Sequence, residues 1–240
     1  MKQNLDRSIK NYKARLIAKG FLQTEEIDYQ ETFNLVVKDA TIRIILSLAG
    51  TNNWRLRQVD INNVFLNAEL TEIVYMPQPE GFEDPVHPRY VCKLKNALYG
   101  LKQGPRVWFE KLKSMLESWE FFKAKLDTSL FYKENGSDFT LLLIYVDDII
   151  VTGSNNAEIE KLISNLGNTF ALKDLEELNF FLGIKVIRNN DTLILSRRKY
   201  IKYLLAKFDL KDCKRADTQL ATTEKLSKNI RNVFHDPTKY

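Results

Sequence analysis

Cysteine and histidine are scarce in this chain of 240 residues, with two of each. Cys92 and Cys213 lie far apart and in no metal-ligand spacing, which argues against a disulfide scaffold and a zinc site. They read as reduced thiols of an intracellular protein. His87 and His235 fall in loop-like sequence close to prolines, which argues against histidine nucleophile chemistry. No apolar run approaches the roughly 20 residues needed to span a bilayer. The stretch from Met1 to Lys19 is polar and basic, unlike a signal peptide, so a membrane is not an expected partner. Repeats and low-complexity linkers are also missing, and a single interleaved unit over 1–240 is the expected organisation.

What is present is a chain with 44% hydrophobic and 11% aromatic residues, enough for a substantial core. The net charge is +5, and its distribution says more than its sum. Lys2, Arg7, Lys10, Lys13, Arg15 and Lys19 face a single acid, Asp6, near the start. Arg188, Arg197, Arg198, Lys199, Lys202, Lys207, Lys211 and Lys214 make the stretch up to Arg215 basic as well. Two basic flanks around an acidic centre suit a polyanion gripped at both ends; a merely solvated surface is the alternative.

Helical and strand periods alternate along the chain. A short strand is expected around Ala14 to Phe21, then an acidic, turn-rich stretch to Glu31. Ile42, Ile45, Leu46 and Ala49 have helical spacing, and Trp54 to Asp60 alternates as a strand. Gly104-Pro105 opens a helix whose Trp108, Leu112, Met115, Leu116 and Trp119 share a core-facing side. Ser129 to Lys133, the turn Asn135-Gly136 and two strands within Phe139 to Thr152 follow. Ile159 to Phe170 is helical, Phe180 to Leu195 forms a second hairpin, and Ile201 to Phe208 is a last helix with Ser196 as its cap. The segment from Ala216 onward lacks periodicity. The expected class is α+β, with helices on one face of a largely antiparallel sheet.

Acids interrupt two of the apolar, β-branched runs: Asp60 in Gln58-Val59-Asp60-Ile61, and the pair in Tyr145-Val146-Asp147-Asp148-Ile149. A carboxylate near a core is costly unless something compensates it. The pair taken alone is either a polar hairpin tip or a set of metal ligands. Hairpin tips favour Asn-Gly or Asp-Gly, and adjacent carboxylates repel unless a cation lies between them. Three such acids provide hard oxygen ligands for Mg²⁺, and two Mg²⁺ ions serve in-line phosphoryl chemistry on nucleotides. Because side chains in a strand alternate faces, only one of the pair leans directly toward Asp60; Asp147 is the expected one.

An ordered series of motifs then runs through nearly the whole length. It includes Tyr12-Lys13-Ala14-Arg15-Leu16-Ile17-Ala18-Lys19-Gly20-Phe21, Asp28-Tyr29-Gln30-Glu31-Thr32-Phe33 and Phe65-Leu66-Asn67. Val74-Tyr75-Met76, Gln78-Pro79-Glu80-Gly81-Phe82, Leu98-Tyr99-Gly100-Leu101-Lys102-Gln103, Pro105-Arg106, Trp108-Phe109 and Phe181-Leu182-Gly183-Ile184 continue it. Together with the two acidic runs, the series resembles the reverse transcriptase of copia-type LTR retrotransposons.

That resemblance implies a right-hand polymerase fold: fingers about 1–52 and 71–97, palm about 53–70 and 98–195, and a partial thumb with a loose tail over 196–240. It implies RNA-directed DNA polymerase activity on an RNA template or DNA primer–template duplex, with dNTPs as substrates. Asp60, Asp147 and Asp148 match the catalytic acids, and with the Ile61 carbonyl they would hold two Mg²⁺ ions, for which Mn²⁺ substitutes. Phe65 matches a sugar-selecting aromatic, or is an ordinary core residue. Lys13, Arg15 and Gln103 match nucleotide-binding positions, though Lys13 and Arg15 are also what any exposed strand carries. Lys173 is a candidate general acid or a plain surface lysine. Phe181, Leu182 and Gly183 resemble a primer grip, with Arg197, Arg198 and Lys199 toward duplex phosphates.

Some positions depart from the family text. Leu35 stands where proline is common, Gly104 where alanine or serine is, and Ala68 and Glu176 where glycine is, so strained turns are expected at the last two. No RNase H, integrase or protease sequence is present, so partner modules of a polyprotein are implied. An active element would place the protein in cytoplasmic virus-like particles. A nucleic-acid-binding relic without catalysis and a two-metal nuclease are the competing readings; a nuclease has no use for a sugar gate.

Overall fold

Two short strands, β1 (Lys2–Gln3) and β2 (Ile9–Asn11), pair antiparallel near the start of the chain. Where a strand is expected around Ala14 to Phe21, the described residues from 15 onward form an irregular segment with one parallel bridge, Ile17 to Tyr99, and a 3-10 turn at Gly20–Leu22. Its backbone lies against the loop before the second helix rather than beside a strand. A Cβ on Gly20 would come within 1.7 Å of the Gly100 carbonyl oxygen, so only glycine allows that approach. The computed structural model describes residues 2–3, 9–11, 15–32, 36–189 and 192–212. It falls into two compact units, 1–178 and 179–240.

The first unit carries helix α1 (Asp39–Thr51), β3 (Leu56–Ile61), the antiparallel pair β4 (Glu69–Pro77) and β5 (Val91–Asn96), and α2 (Gly104–Ser118). It continues with β6 (Phe122–Lys123), β7 (Leu130–Asn135), β8 (Asp138–Tyr145), β9 (Asp148–Gly153), α3 (Asn156–Thr169) and β10 (Leu172–Glu177). Six strands form one sheet in the order β10-β3-β9-β8-β7-β6, every neighbour antiparallel.

α2 starts where Pro105 presets the helical φ and has no N–H to lose. Its Trp108, Leu112 and Leu116 are all at most 1% exposed. Burial of such side chains contributes about 1.5–3 kcal/mol each. They share a core with Ile159, Leu162, Ile163 and Leu166 of α3 and with Val59, Ile61, Leu142, Ile144, Ile149 and Val151 of the sheet. By strand alternation Gln58, Asp60 and Asp148 therefore lie on the opposite face. At one edge the carboxylate of Asp127, 5% exposed, accepts from the Thr41 hydroxyl and the Lys38 N–H at the start of α1. It also accepts from Ser129 N and Oγ at 3.0 and 2.5 Å, which ties that helix to the entry of β7.

In the second unit β11 (Phe180–Phe181), β12 (Ile184–Asn189) and β13 (Thr192–Ser196) form an antiparallel sheet followed by α4 (Arg198–Lys207). Ser196 Oγ accepts from Arg198 N at 3.3 Å, although Arg197 is the residue that precedes the helix. The two positions expected to be strained differ. Ala68 is relaxed at φ −106°, whereas Glu176 sits at φ +62°, where glycine would be easier. The readings made for Leu35 and for the segment from Ala216 lie outside the described residues.

Candidate active site

The hairpin of β8 and β9 is closed by two residues, Val146 and Asp147, because Tyr145 pairs with Asp148. Val146 has φ +57° and Asp147 does not share the left-handed region. That is the sign pattern of a type II′ loop, whose first position glycine usually fills. Continuing the ladder, Asp148 stands directly opposite Asp60 of β3, and Lys173 of β10 stands opposite Asp60 on its other side. Lys173, Asp60 and Asp148 thus form one row across three strands. The expectation that Asp147 faces Asp60 is corrected by this register: Asp148 does. Asp147 occupies the turn, where its carbonyl accepts the Ile61 N–H at 2.9 Å.

Gln58, 7% exposed, lies two residues before Asp60 on the same face and donates through Nε2 to Asp148 Oδ1 at 3.2 Å. Burial pushes the Asp148 carboxyl above the ordinary aspartate range. The Gln58 hydrogen bond opposes this, while the charges of Asp147 and Asp60 add to it. The three acids therefore feel one another. Among the described residues, however, no three acid, histidine or cysteine side chains already close around a single point.

Tyr99 gathers several of the other candidates. Its carbonyl accepts Ala18 N–H at 2.7 Å, anchoring the segment that carries Arg15. The Arg15 guanidinium lies 5.1 Å above the ring, and the Phe65 ring meets it edge-on at 4.7 Å and 75°. Burial raises the Tyr99 phenol first of all; Asp147 and Asp60 raise it further and Arg15 opposes them. Arg15 and Phe65 thus flank a ring whose phenol feels the charges of Asp147 and Asp60. Phe65 itself is 8% exposed and belongs to the core cluster, so the packing role and the proximity to the acids hold together.

Gln103 is placed differently. It is fully buried; its Oε1 accepts from Gln23 Nε2 at 3.1 Å and its Nε2 donates to the Asp28 carbonyl at 3.2 Å. Its amide thus ties the loop through residues 23–28 to the start of α2. Lys13 lies outside the described residues. In the second unit, Leu182 and Gly183 close β11 to β12 with φ values of 45° and 82°. Phe181 is 2% exposed, Arg197 precedes α4, Arg198 and Lys199 begin it, and Lys199 Nζ lies 5.2 Å from the Phe180 ring.

Gln58 and Tyr99 are site neighbours that the sequence motifs alone do not mark as such. The period of a strand, which puts i and i+2 on one face, is the signal for Gln58. For Tyr99 no local pattern suffices, since its partners come from three distant segments.

A family model described as reverse transcriptase (RNA-dependent DNA polymerase) matches residues 1–222. The chain is 45% identical over 239 residues to the retrovirus-related Pol polyprotein from transposon RE1 of Arabidopsis thaliana, covering 100% of this chain and 16% of that protein. It is 43% identical over 239 residues to the corresponding RE2 polyprotein of the same plant, again 100% of this chain and 16% of that protein. Against the Pol polyprotein from transposon TNT 1-94 of Nicotiana tabacum it is 41% identical over 233 residues, or 96% of this chain and 18% of that protein. The chain therefore spans less than a fifth of these relatives.

Proposed function

The chain belongs to the reverse transcriptase family of copia-type transposon Pol polyproteins, and from that premise we propose that it is an RNA-directed DNA polymerase adding dNTPs to a primer 3′-hydroxyl on an RNA or DNA template. The observation that carries this reading is the cross-strand pair Asp60 and Asp148 with Asp147 in the adjoining turn. The sheet and its helices would serve as palm, the β4–β5 hairpin and the segments before β3 as fingers, and α4 as part of a thumb.

Reverse transcriptase domains generally depend on divalent metal, and the donors here suit a hard cation: two carboxylates paired across β3 and β9 and a third in the adjoining turn, with Asp148 pushed toward protonation by burial and by the charges of the other two. Asp60, Asp147, Asp148 and the Ile61 carbonyl would hold Mg²⁺ or Mn²⁺, which when bound activates the primer hydroxyl and neutralises triphosphate charge. The protein's own residues do the rest. Gln58 orients Asp148. Arg15 has a planar fork matched to triphosphate oxygens, and the ring beneath it keeps that fork near the acids. Phe65 would exclude a 2′-hydroxyl by bulk. Lys173, level with Asp60, is suitably placed along the ladder to give a proton to departing pyrophosphate.

Partners beyond dNTPs would be a primer and template, with RNase H and integrase modules of the polyprotein alongside. Leu182-Gly183 would approach the primer backbone. Arg197, Arg198 and Lys199 give α4 a basic first turn, contrary to what the helix dipole prefers, and duplex phosphates would relieve that. The test is extension of a primer annealed to an RNA template by the purified chain with Mg²⁺ and dNTPs. Tight binding of primer–template without extension would favour a catalytically silent module instead.

A further inference from the structure

The loop that presents the acid pair is held in an unfavourable shape. Val146 is β-branched and sits at φ +57°, a backbone conformation that such a residue rarely adopts. The shape matters because a two-residue loop can relax without disturbing its strands: rotating the peptide between Val146 and Asp147 converts one primed turn into the other and makes the φ of Asp147 positive. That rotation would redirect Asp147 while leaving every ladder pair of β8 and β9 in place.

Trp108 opposes it. Its indole N–H donates to the carbonyl of Val146, the oxygen of that very peptide, at 2.8 Å. The ring is 1% exposed and meets Phe170, at the end of α3, edge-on at 5.2 Å and 73°, so it cannot follow a carbonyl that swings away. The next carbonyl, that of Asp147, is held by Ile61 N–H. Helix α2 and strand β3 thus grip the two loop carbonyls from either side, and the Val146 side chain packs against the core. Packing alone would be served by phenylalanine; a buried indole N–H needs an acceptor, and this one uses a loop peptide.

We propose that Trp108 is a positioning residue for nucleotidyl transfer: its indole N–H fixes the Val146–Asp147 peptide and so sets the direction in which Asp147 is presented. The inference rests on the polymerase reading above for its catalytic consequence, but not for its structural one. Trp108→Phe keeps an aromatic body and removes the donor. Losing a buried hydrogen-bond partner has a typical cost that corresponds to about tenfold or more in an equilibrium. The variant should therefore exchange the amides of residues 146–148 roughly tenfold faster, with α2 and β7 amides unchanged, and lower kcat for primer extension about tenfold with little change in KM for dNTP. Adding Val146→Gly, which removes the strain, should restore much of the lost kcat.

Unchanged exchange at 146–148, or a uniform rise across the core, overturns the proposal. If the wild-type chain extends no primer, the polymerase reading fails while the exchange comparison still decides this one. Should Trp108→Phe not fold, the tryptophan indole resonances decide. Val146→Gly must move that of Trp108 and leave those of Trp54 and Trp119 in place; a stationary Trp108 signal would overturn the inference.

Discussion

Asp148 lies directly across the antiparallel ladder from Asp60, two like charges in a position that ordinarily destabilises a sheet. The arrangement costs stability in the metal-free protein, and the sign can be worked out. Burial, with the charges of Asp147 and Asp60, raises the Asp148 carboxyl pKa in the fold. The folded state then binds this proton more readily than the unfolded chain, so its contribution is lost as pH rises through the raised value. Asp148→Asn removes the charge yet keeps an oxygen for Gln58. At pH 7 without metal it should raise the unfolding midpoint by about a few degrees, a modest gain because the group is partly exposed. The gain should disappear below the ordinary aspartate value of 3.8, where Asp148 is itself neutral. Thermal unfolding at the two pH values checks this, and extension should be lost even as stability rises.

Asp127 makes the opposite prediction. Burial pushes its carboxyl up, but hydrogen bonds from Ser129, Thr41 and the Ser129 and Lys38 backbone outweigh that and hold it below 3.8. Its stabilising contribution is present above the unfolded pKa and is lost as pH falls through the lower folded value. Asp127→Ala strands the donors of Thr41, Ser129 and the Lys38 backbone, and should cost about 2–3 kcal/mol in denaturant unfolding at pH 7. A cost below half a kilocalorie would mean that α1 is held by its apolar face alone.

The meeting of Arg15, Tyr99 and Phe65 predicts a division of labour. Phe65→Val should admit ribonucleotides more readily, narrowing sugar discrimination by about tenfold or more, since a void replaces the excluding ring. Tyr99→Leu removes the seat beneath Arg15 and should raise KM for dNTP several-fold while kcat falls less. Steady-state incorporation of matched dNTP and rNTP pairs separates the two effects. Equal changes in both variants would mean that the cluster is packing only.

Much of this architecture is legible in the residues because local signals and tertiary demands agree. Pro105 and the Trp108 to Leu116 spacing give α2, and the apolar run from Leu141 to Val151 with acids in its middle gives the β8–β9 hairpin. The failures have common causes. The stretch around Leu16 and Ile17 has strand-like composition, but no ladder is offered to it, and both side chains stay half-exposed or more. Which acid faces Asp60 depends on a loop of two residues, and a valine at positive φ is a loop that turn preferences argue against. The bonds that Gln103 makes to Gln23 and to the Asp28 carbonyl span 80 and 75 residues, so no local pattern announces them.

In the polymerase proposed above, Asp147 acts in chemistry and not in holding the fold or the nucleic acid. The direct measurement compares Asp147→Asn with the wild type in two assays on one RNA-templated primer: extension with Mg²⁺ and dNTPs, and binding without them. Wild type should extend the primer, the variant should lose at least about a thousandfold of that rate, and binding should stay within about twofold. Extension that survives the substitution, or binding lost in equal measure, would contradict it.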